Sequence, residues 1–260
     1  MMLHHRFDGP PDAPVVVLGP SLGTSLALWE PQLPALTRRW RVLRYDLPGH
    51  GDSPTPGLTM DGLTMDGLTM DDLAGMVLAV LDRHGLDVVA YAGVSLGGAI
   101  GTTLAVAAPG RVGSLVLCCT SAFFGPPEPW RERAALVRRE GMEPVARATA
   151  ARWFTPGFAG AEPYLAMVRR ADPEGYAACC EAIGAFDVRD RLGLVQAPTL
   201  VIAGAEDPAT PPDHARVLAD GIPDADLLVI PEAAHLANVE RPDVVTGALT
   251  AHFESPWRTP

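Results

Sequence analysis

The sequence predicts an α/β fold: a mostly parallel central sheet flanked by helices, with a helical lid inserted after the strand at 115–119. Three observations carry that expectation. Short apolar runs alternate with helix-period segments at both ends of the chain. Between Ser121 and about Gln196 that alternation stops, and successive helical patterns broken by prolines and glycines take its place. A serine stands between glycines in Gly93-Val94-Ser95-Leu96-Gly97-Gly98, directly after an apolar run. With 260 residues, 48% hydrophobic and 20% charged, the chain suits one enzyme-sized α/β unit with a full core.

In chain order, strands are expected at 3–7, 15–18 and 41–45, with a helix at 26–39 between the second and third. The run Val15-Val16-Val17-Leu18 passes into the turn Gly19-Pro20-Ser21-Leu22-Gly23-Thr24, and the glycine-rich loop at 45–53 reads as scaffold around a site. Gly57-Leu58-Thr59-Met60-Asp61 then recurs at 62–66 and 67–71, three tandem copies too short for a solenoid. The repeat reads as replication slippage that lengthened a loop, with nothing in it to suggest metal binding. A helix at 70–84 follows, and Thr69-Met70-Asp71-Asp72 resembles an N-terminal capping sequence. A strand at 88–93 leads through the serine turn into a helix at 96–108, stopped by Pro109-Gly110. Strands at 115–119, 199–203 and 227–230 and helices at 213–221 and 241–253 complete the pattern. Residues 1–121 and 197–260 are thus expected to form the core, and 122–196 a helical cap.

The serine turn matches the G-x-S-x-G nucleophile elbow in its strand-then-helix context. Such a turn holds serine in strained backbone geometry, and small flanking residues let strand and helix pass closely enough to expose the hydroxyl above the sheet. A nucleophilic serine needs a base, and this architecture supplies it in the order Ser, Asp, His. His235 lies in Pro231-Glu232-Ala233-Ala234-His235, just past one expected strand, and Asp207 in Gly204-Ala205-Glu206-Asp207-Pro208, just past another. His235 would take the Ser95 proton while a carboxylate holds its ring and stabilises the imidazolium. Asp207 is the expected carboxylate because the Asp-Pro step fixes the backbone beside it, although the adjacent Glu206 could reach instead. Taken singly, His235 reads equally as a surface histidine and Asp207 as a turn residue; their order and placement make the case.

An oxyanion would be held by the backbone amide of Leu96 together with that of Ser21 or Leu22, since Pro20 has no amide hydrogen. The lid's first helix begins near Glu128 and carries Trp130, Arg131, Arg133, Arg138 and Arg139. Trp130 and Arg133, at i and i+3, share a face, and an indole wall beside a guanidinium suits a small, flat, anionic ligand. The competing reading is an ordinary amphipathic helix with solvated arginines. Trp153, Phe154 and Phe158 are further candidates for the pocket wall, although aromatics in a lid more often serve packing.

The formal net charge is −11, every basic residue is arginine, and no basic patch dominates, which argues against a nucleic-acid partner. An anionic substrate would therefore need a local cation. No run long and apolar enough to span a membrane occurs, and the N-terminus lacks the apolar core of a signal peptide, so a cytoplasmic protein without a membrane partner is expected. Cys118-Cys119 and Cys179-Cys180 read as buried small hydrophobes, being poorly placed for disulfides or metal ligation. No metal and no cofactor is expected.

Together the turn at 19–24, the loop Asp46-Leu47-Pro48-Gly49-His50-Gly51, the elbow at 92–98, the run Leu117-Cys118-Cys119-Thr120-Ser121-Ala122 and Ala234-His235-Leu236-Ala237-Asn238-Val239-Glu240 resemble the 3-oxoadipate enol-lactonases. These are α/β-hydrolases of the β-ketoadipate pathway. The resemblance spans nearly the whole chain, lid included, and departs from the family in the repeat and at Pro20, where asparagine is frequent. It implies a small anionic lactone as substrate, with Ser95 attacking the lactone carbonyl and an enolate leaving. It also gives Arg133, or a neighbouring lid arginine, a free carboxylate to grip. The fused decarboxylase domain of some relatives is not expected. The same triad would serve a broad carboxylesterase or a cofactor-free perhydrolase, and the fold also hosts slow or non-catalytic ligand-binding proteins.

Overall fold

Strands β1 (His5–Asp8), β2 (Val15–Gly19), β3 (Arg41–Tyr45), β4 (Val89–Val94), β5 (Val112–Cys118), β6 (Thr199–Gly204) and β7 (Ala225–Ile230) form one sheet in the order β1-β3-β2-β4-β5-β6-β7. The structure is a computed structural model and describes residues 2–55 and 67–257. Only β1 runs antiparallel to its neighbour; every other pairing is parallel. Every residue of β2, β4 and β5 is buried, as the near-continuous apolar runs of strands covered on both faces require. From β2 the chain goes to β3 on one side, then crosses back to β4 on the other. The carboxyl ends of β2 and β4 therefore flank the crevice where such sheets build sites, with Gly19 in register with Gly93.

The expected helix at 26–39 is broken. Leu26–Gln32 is a 3₁₀ segment containing Pro31, and only Leu33–Leu36 (α1) is α-helical, with Pro34 in its first turn. Two prolines three residues apart remove amide donors and crowd the preceding turn, so one continuous helix cannot form. Helix α2 (Met70–Arg83) starts at a reciprocal capping box: the Asp72 amide donates to Thr69 Oγ1 at 3.1 Å and the Thr69 amide to Asp72 Oδ2 at 2.9 Å. Its buried Leu73, Met76, Val77, Val80 and Leu81 follow one helical stripe. The first two copies of the five-residue repeat lie outside the described residues; the third leads into this cap. Helix α3 (Leu96–Ala107) is buried from Leu96 to Val106.

Between β5 and β6 four helices are inserted: α4 (Pro127–Glu140), α5 (Glu143–Trp153), α6 (Glu162–Arg170) and α7 (Pro173–Gly184). A bridge between Phe123 and Asp187, and the Val188 amide donating to the Ala122 carbonyl at 3.0 Å, clip the two ends of the insertion together. Arg138 on α4 binds Glu174 at 2.7 Å and also Glu181, both on α7. The insertion meets the loop after β3 where the Asp172 amide donates to Gly49 O at 2.8 Å. That loop is braced by Asp46, which accepts from the Leu26 amide at 2.7 Å and the Asp52 amide at 3.0 Å, a scaffold role. Helices α8 (Pro212–Gly221), α9 (Ala237–Glu240) and α10 (Pro242–Glu254) complete the chain. All four cysteines are buried free thiols. Among the described residues no helix is long and apolar enough to cross a membrane.

The close pass of α3 over the β2 turn depends on missing side chains. A Cβ on Gly97 would overlap the Gly19 carbonyl and lie 2.8 Å from the Pro20 carbonyl oxygen, and one on Gly93 would overlap the Gly97 backbone. Because the obstacle at Gly97 is backbone, Gly97→Ala is expected to cost about 1–3 kcal/mol and to displace the elbow. Thermal melting together with activity per folded molecule checks this; a wild-type melting temperature with full activity would contradict it.

Candidate active site

The elbow presents Ser95 at φ 54° and ψ −114°, a left-handed conformation that costs a non-glycine residue about 1–3 kcal/mol. Its surroundings hold it there. The Ser95 amide donates to Cys118 O at 3.0 Å, and Thr120 Oγ1 donates to Ser95 O at 2.6 Å. Beneath the turn, the Tyr91 hydroxyl donates to Gly97 O at 2.8 Å and meets the Tyr45 hydroxyl at 2.7 Å. Burial raises the pKa of both phenols, which keeps them neutral hydrogen-bonding groups.

His235 and Asp207 come from loops after β7 and β6 that are laced together. The Ala205 amide donates to Ile230 O at 2.8 Å and the Glu206 amide to Ala233 O at 2.9 Å. His235 Nδ1 lies 2.8 Å from Asp207 Oδ2, whereas the Glu206 side chain, the alternative acid, is exposed. Asp207 Oδ1 also accepts the amides of Ala209 at 2.7 Å and Thr210 at 3.0 Å, and Oδ2 accepts the Thr210 hydroxyl at 2.7 Å. Burial acts to raise the Asp207 pKa, but the charge of His235 and the hydrogen bonds from His235 and Thr210 outweigh it, so the carboxyl is held below its ordinary value. A lowered folded-state pKa means that ionised Asp207 favours folding above the unfolded carboxyl pKa of about 3.9. That contribution disappears as pH falls through the depressed value. With Asp207 ionised, Nδ1 carries the ring proton and donates it, which leaves Nε2 as the acceptor a general base needs.

Ser95 and His235 line one cavity with Ser21 and Leu22, enclosing about 480 Å³ with its open mouth included. Among the described residues no hydrogen bond joins the Ser95 hydroxyl to His235; contacts of this kind commonly tighten only with substrate bound. Leu96 itself is fully buried and stands first in α3, so its backbone amide is a helix N-terminal donor next to Ser95. The β2 turn is fixed by Trp29 Nε1 donating to Gly19 O at 3.0 Å and by the Thr24 amide and hydroxyl donating to Ser21 O at 3.0 and 2.7 Å. No acceptor among the described residues takes the Ser21 or Leu22 amide. Either is available to an oxyanion.

Ala209 and Thr210 add to this side, and the insertion supplies the opposing wall, including both Trp130 and Arg133. The Arg133 guanidinium carbon sits 5.2 Å from the centroid of the Trp130 ring and close to the Tyr176 hydroxyl. Arg152, which sequence reasoning missed, also lines the cavity although its side chain is exposed overall. Desolvation at the wall, then the charge of Arg133, lower its pKa. Arg138, Arg169 and Arg189 all have carboxylate partners, but among the described residues neither Arg133 nor Arg152 does. Of the three lid aromatics offered as candidates, Trp153 lines the cavity. Phe154 and Phe158 do not; they stack on each other with centroids 4.9 Å apart, a packing role. Thr210 was also missed, though the Asp207-Pro208-Ala209-Thr210 spacing, in which an aspartate caps amides two and three residues on, is a visible signal. Among the described residues no His, Cys, Asp or Glu cluster has the makings of a metal site.

The family model described as alpha/beta hydrolase fold matches residues 14–156 and 164–242. The chain is 36% identical to 3-oxoadipate enol-lactonase 2 of Acinetobacter baylyi, over 96% of its own length and 92% of the relative's. It is 31% identical to 3-oxoadipate enol-lactonase 1 of the same organism, over 92% and 88%. Among solved structures, the enol-lactonase from Burkholderia xenovorans superposes with a TM-score of 0.91 at 38% identity, covering 97% of this chain and 96% of that one. The chain belongs to the α/β-hydrolase family, with 3-oxoadipate enol-lactonases among its relatives.

Proposed function

We propose that this protein is a serine hydrolase that opens the ring of 3-oxoadipate enol-lactone to give 3-oxoadipate. The observation that carries this reading is one cavity holding Ser95 and the Asp207–His235 pair on one side and two guanidiniums without carboxylate partners on the other chain segment that lines it. The first set suits acyl transfer and the second a substrate with a free carboxylate. Relatives named as enol-lactonases, matched over nearly the whole chain, supply the identity of that substrate. Residues 1–121 and 197–260 form the catalytic core in this reading and 122–196 the cap that completes the pocket. The enzyme acts in the cytoplasm, in keeping with four unpaired thiols, and needs neither a nucleic-acid nor a membrane partner.

Ser95 Oγ attacks the lactone carbonyl while His235 Nε2 takes its proton, and the amides of Leu96 and of Ser21 or Leu22 hold the oxyanion. Collapse breaks the ring C–O bond and expels an enolate, which is a good leaving group and takes its proton from His235. Water then attacks the acyl-serine with His235 again as base, Ser95 regains its proton, and the released enol tautomerises to the ketone. Throughout, Asp207 keeps the ring oriented and offsets the imidazolium charge. The substrate carboxylate is held by Arg133 and Arg152, whose mutual repulsion it relieves, with the Trp130 indole as a flat wall.

Steady-state loss of the lactone chromophore tests the assignment. Wild type is expected to turn the lactone over efficiently and Ser95→Ala to lose that activity by several orders of magnitude; a folded wild type inert toward the lactone refutes it. For the carboxylate grip, Arg152→Met and Arg133→Met are each expected to raise KM for the lactone about 10- to 100-fold, the worth of a charge-assisted hydrogen bond. Hydrolysis of a neutral aryl ester should change little, and an equal loss on both substrates would contradict the grip.

A further inference from the structure

The two peptide amides that flank His235 are both tied, directly or through one side chain, to the helical insertion. The Leu236 amide donates to the Trp153 carbonyl, the last residue of α5, at 3.1 Å. The Ala234 amide donates to Glu240 Oε2 at 2.6 Å. The other oxygen of that carboxylate, Oε1, accepts from both the amide of Thr155, at 2.8 Å, and its hydroxyl, at 2.7 Å. Glu240 therefore spans from the residue before His235 to the chain just beyond α5, with three hydrogen bonds converging on one half-buried carboxylate. The segment it grips is not passive structure. Arg152 and Trp153, three and two residues before Thr155, are part of the substrate cavity wall.

We infer that Glu240 is a positioning residue that locks the Arg152–Thr155 segment to the histidine loop, so that the substrate wall and the general base are set by one shared anchor. The inference rests on the assignment of His235 as the base and extends it. The placement of Nε2 then depends on a helical segment from a different part of the chain, and any movement of the insertion at this seam moves the base with it. A base misplaced by about an ångström costs on the order of 10²-fold in rate, so the anchor bears on turnover and not only on folding.

The test compares wild type with Glu240→Gln and with Thr155→Val, which removes one hydroxyl donor and keeps the Thr155 amide. Two quantities are measured. One is the rate of Ser95 phosphonylation by a fluorophosphonate, per active site after titration of reactive serine; the other is amide hydrogen exchange at Leu236 by NMR, relative to a core amide such as that of Ala99. The fluorophosphonate calls on Ser95 and His235 but not on lactone recognition. A wild type that is phosphonylated yet leaves the lactone intact would therefore refute the substrate assignment while this comparison still decides the role of Glu240.

Glu240→Gln is expected to slow per-site phosphonylation about 10- to 100-fold. It should also speed exchange at Leu236 beyond any change at Ala99, although the acceptor of that amide, the Trp153 carbonyl, is untouched. Thr155→Val should shift both quantities in the same direction by less. A Glu240 that merely stabilises the fold would lower the melting temperature and the number of titratable sites but leave the per-site rate and relative Leu236 exchange at wild-type values. That result overturns the proposal, and if Glu240→Gln fails to fold, unchanged values in Thr155→Val overturn it equally.

Discussion

The site depends first on how closely the strand-turn-helix carrying Ser95 can approach the turn after β2. Glycines at 19, 93 and 97 leave no side-chain atoms between these backbones, and a Cβ at any of the three would meet backbone or a buried phenol. That approach brings Ser21 and Leu22 to the same cavity as Ser95, with Leu96 next to Ser95 in the chain. It also lets Tyr91 reach Gly97 from below, so the first turn of α3 is fixed by a buried hydrogen bond as well as by packing. The unfavourable backbone of Ser95 persists because β4, β5 and α3 determine its position on all sides.

The second constraint is electrostatic. A chain of net charge −11 offers no long-range attraction to an anionic substrate, yet a Debye length of about 8 Å confines that repulsion, and groups within the cavity decide the local field. Behind the cavity wall the buried carboxylate of Asp207 is committed to His235 and Thr210, while Arg133 and Arg152 on the wall have no carboxylate partner among the described residues. The cavity thus combines an imidazole oriented by Asp207 with positive charge displaced from it. The Glu240 contact joins the two, because the segment that carries Arg152 and Trp153 is also the one that holds the histidine loop.

Legibility in the sequence followed the range of the interactions involved. The strands and the elbow were readable because their signals are local: continuous apolar runs for β2, β4 and β5, glycines bracketing Ser95, Pro109 ending α3. Asp207 and His235 were readable because each stands just past such a run in a fixed order. The helix expected at 26–39 failed on local chemistry that was present, since Pro31 and Pro34 outweighed the apolar pattern. Arg152 was hidden among twenty arginines, most of which form surface ion pairs or face solvent, and only its position on the cavity wall sets it apart. Glu240 was visible as a residue of the histidine motif, but its partner Thr155 lies eighty-five positions away, and no spacing rule connects them.

Nucleophilic opening of a lactone has a consequence that ordinary ester cleavage lacks: the leaving enolate stays tethered, so the acyl-enzyme retains every atom of the substrate. Rapid acid quench of wild type during turnover of 3-oxoadipate enol-lactone, followed by intact-mass analysis and peptide mapping, reads this directly. A covalent adduct of the full substrate mass on the peptide containing Ser95, absent in Ser95→Ala, is the expected result. Turnover that proceeds without any such adduct and survives in Ser95→Ala would contradict the mechanism at its centre.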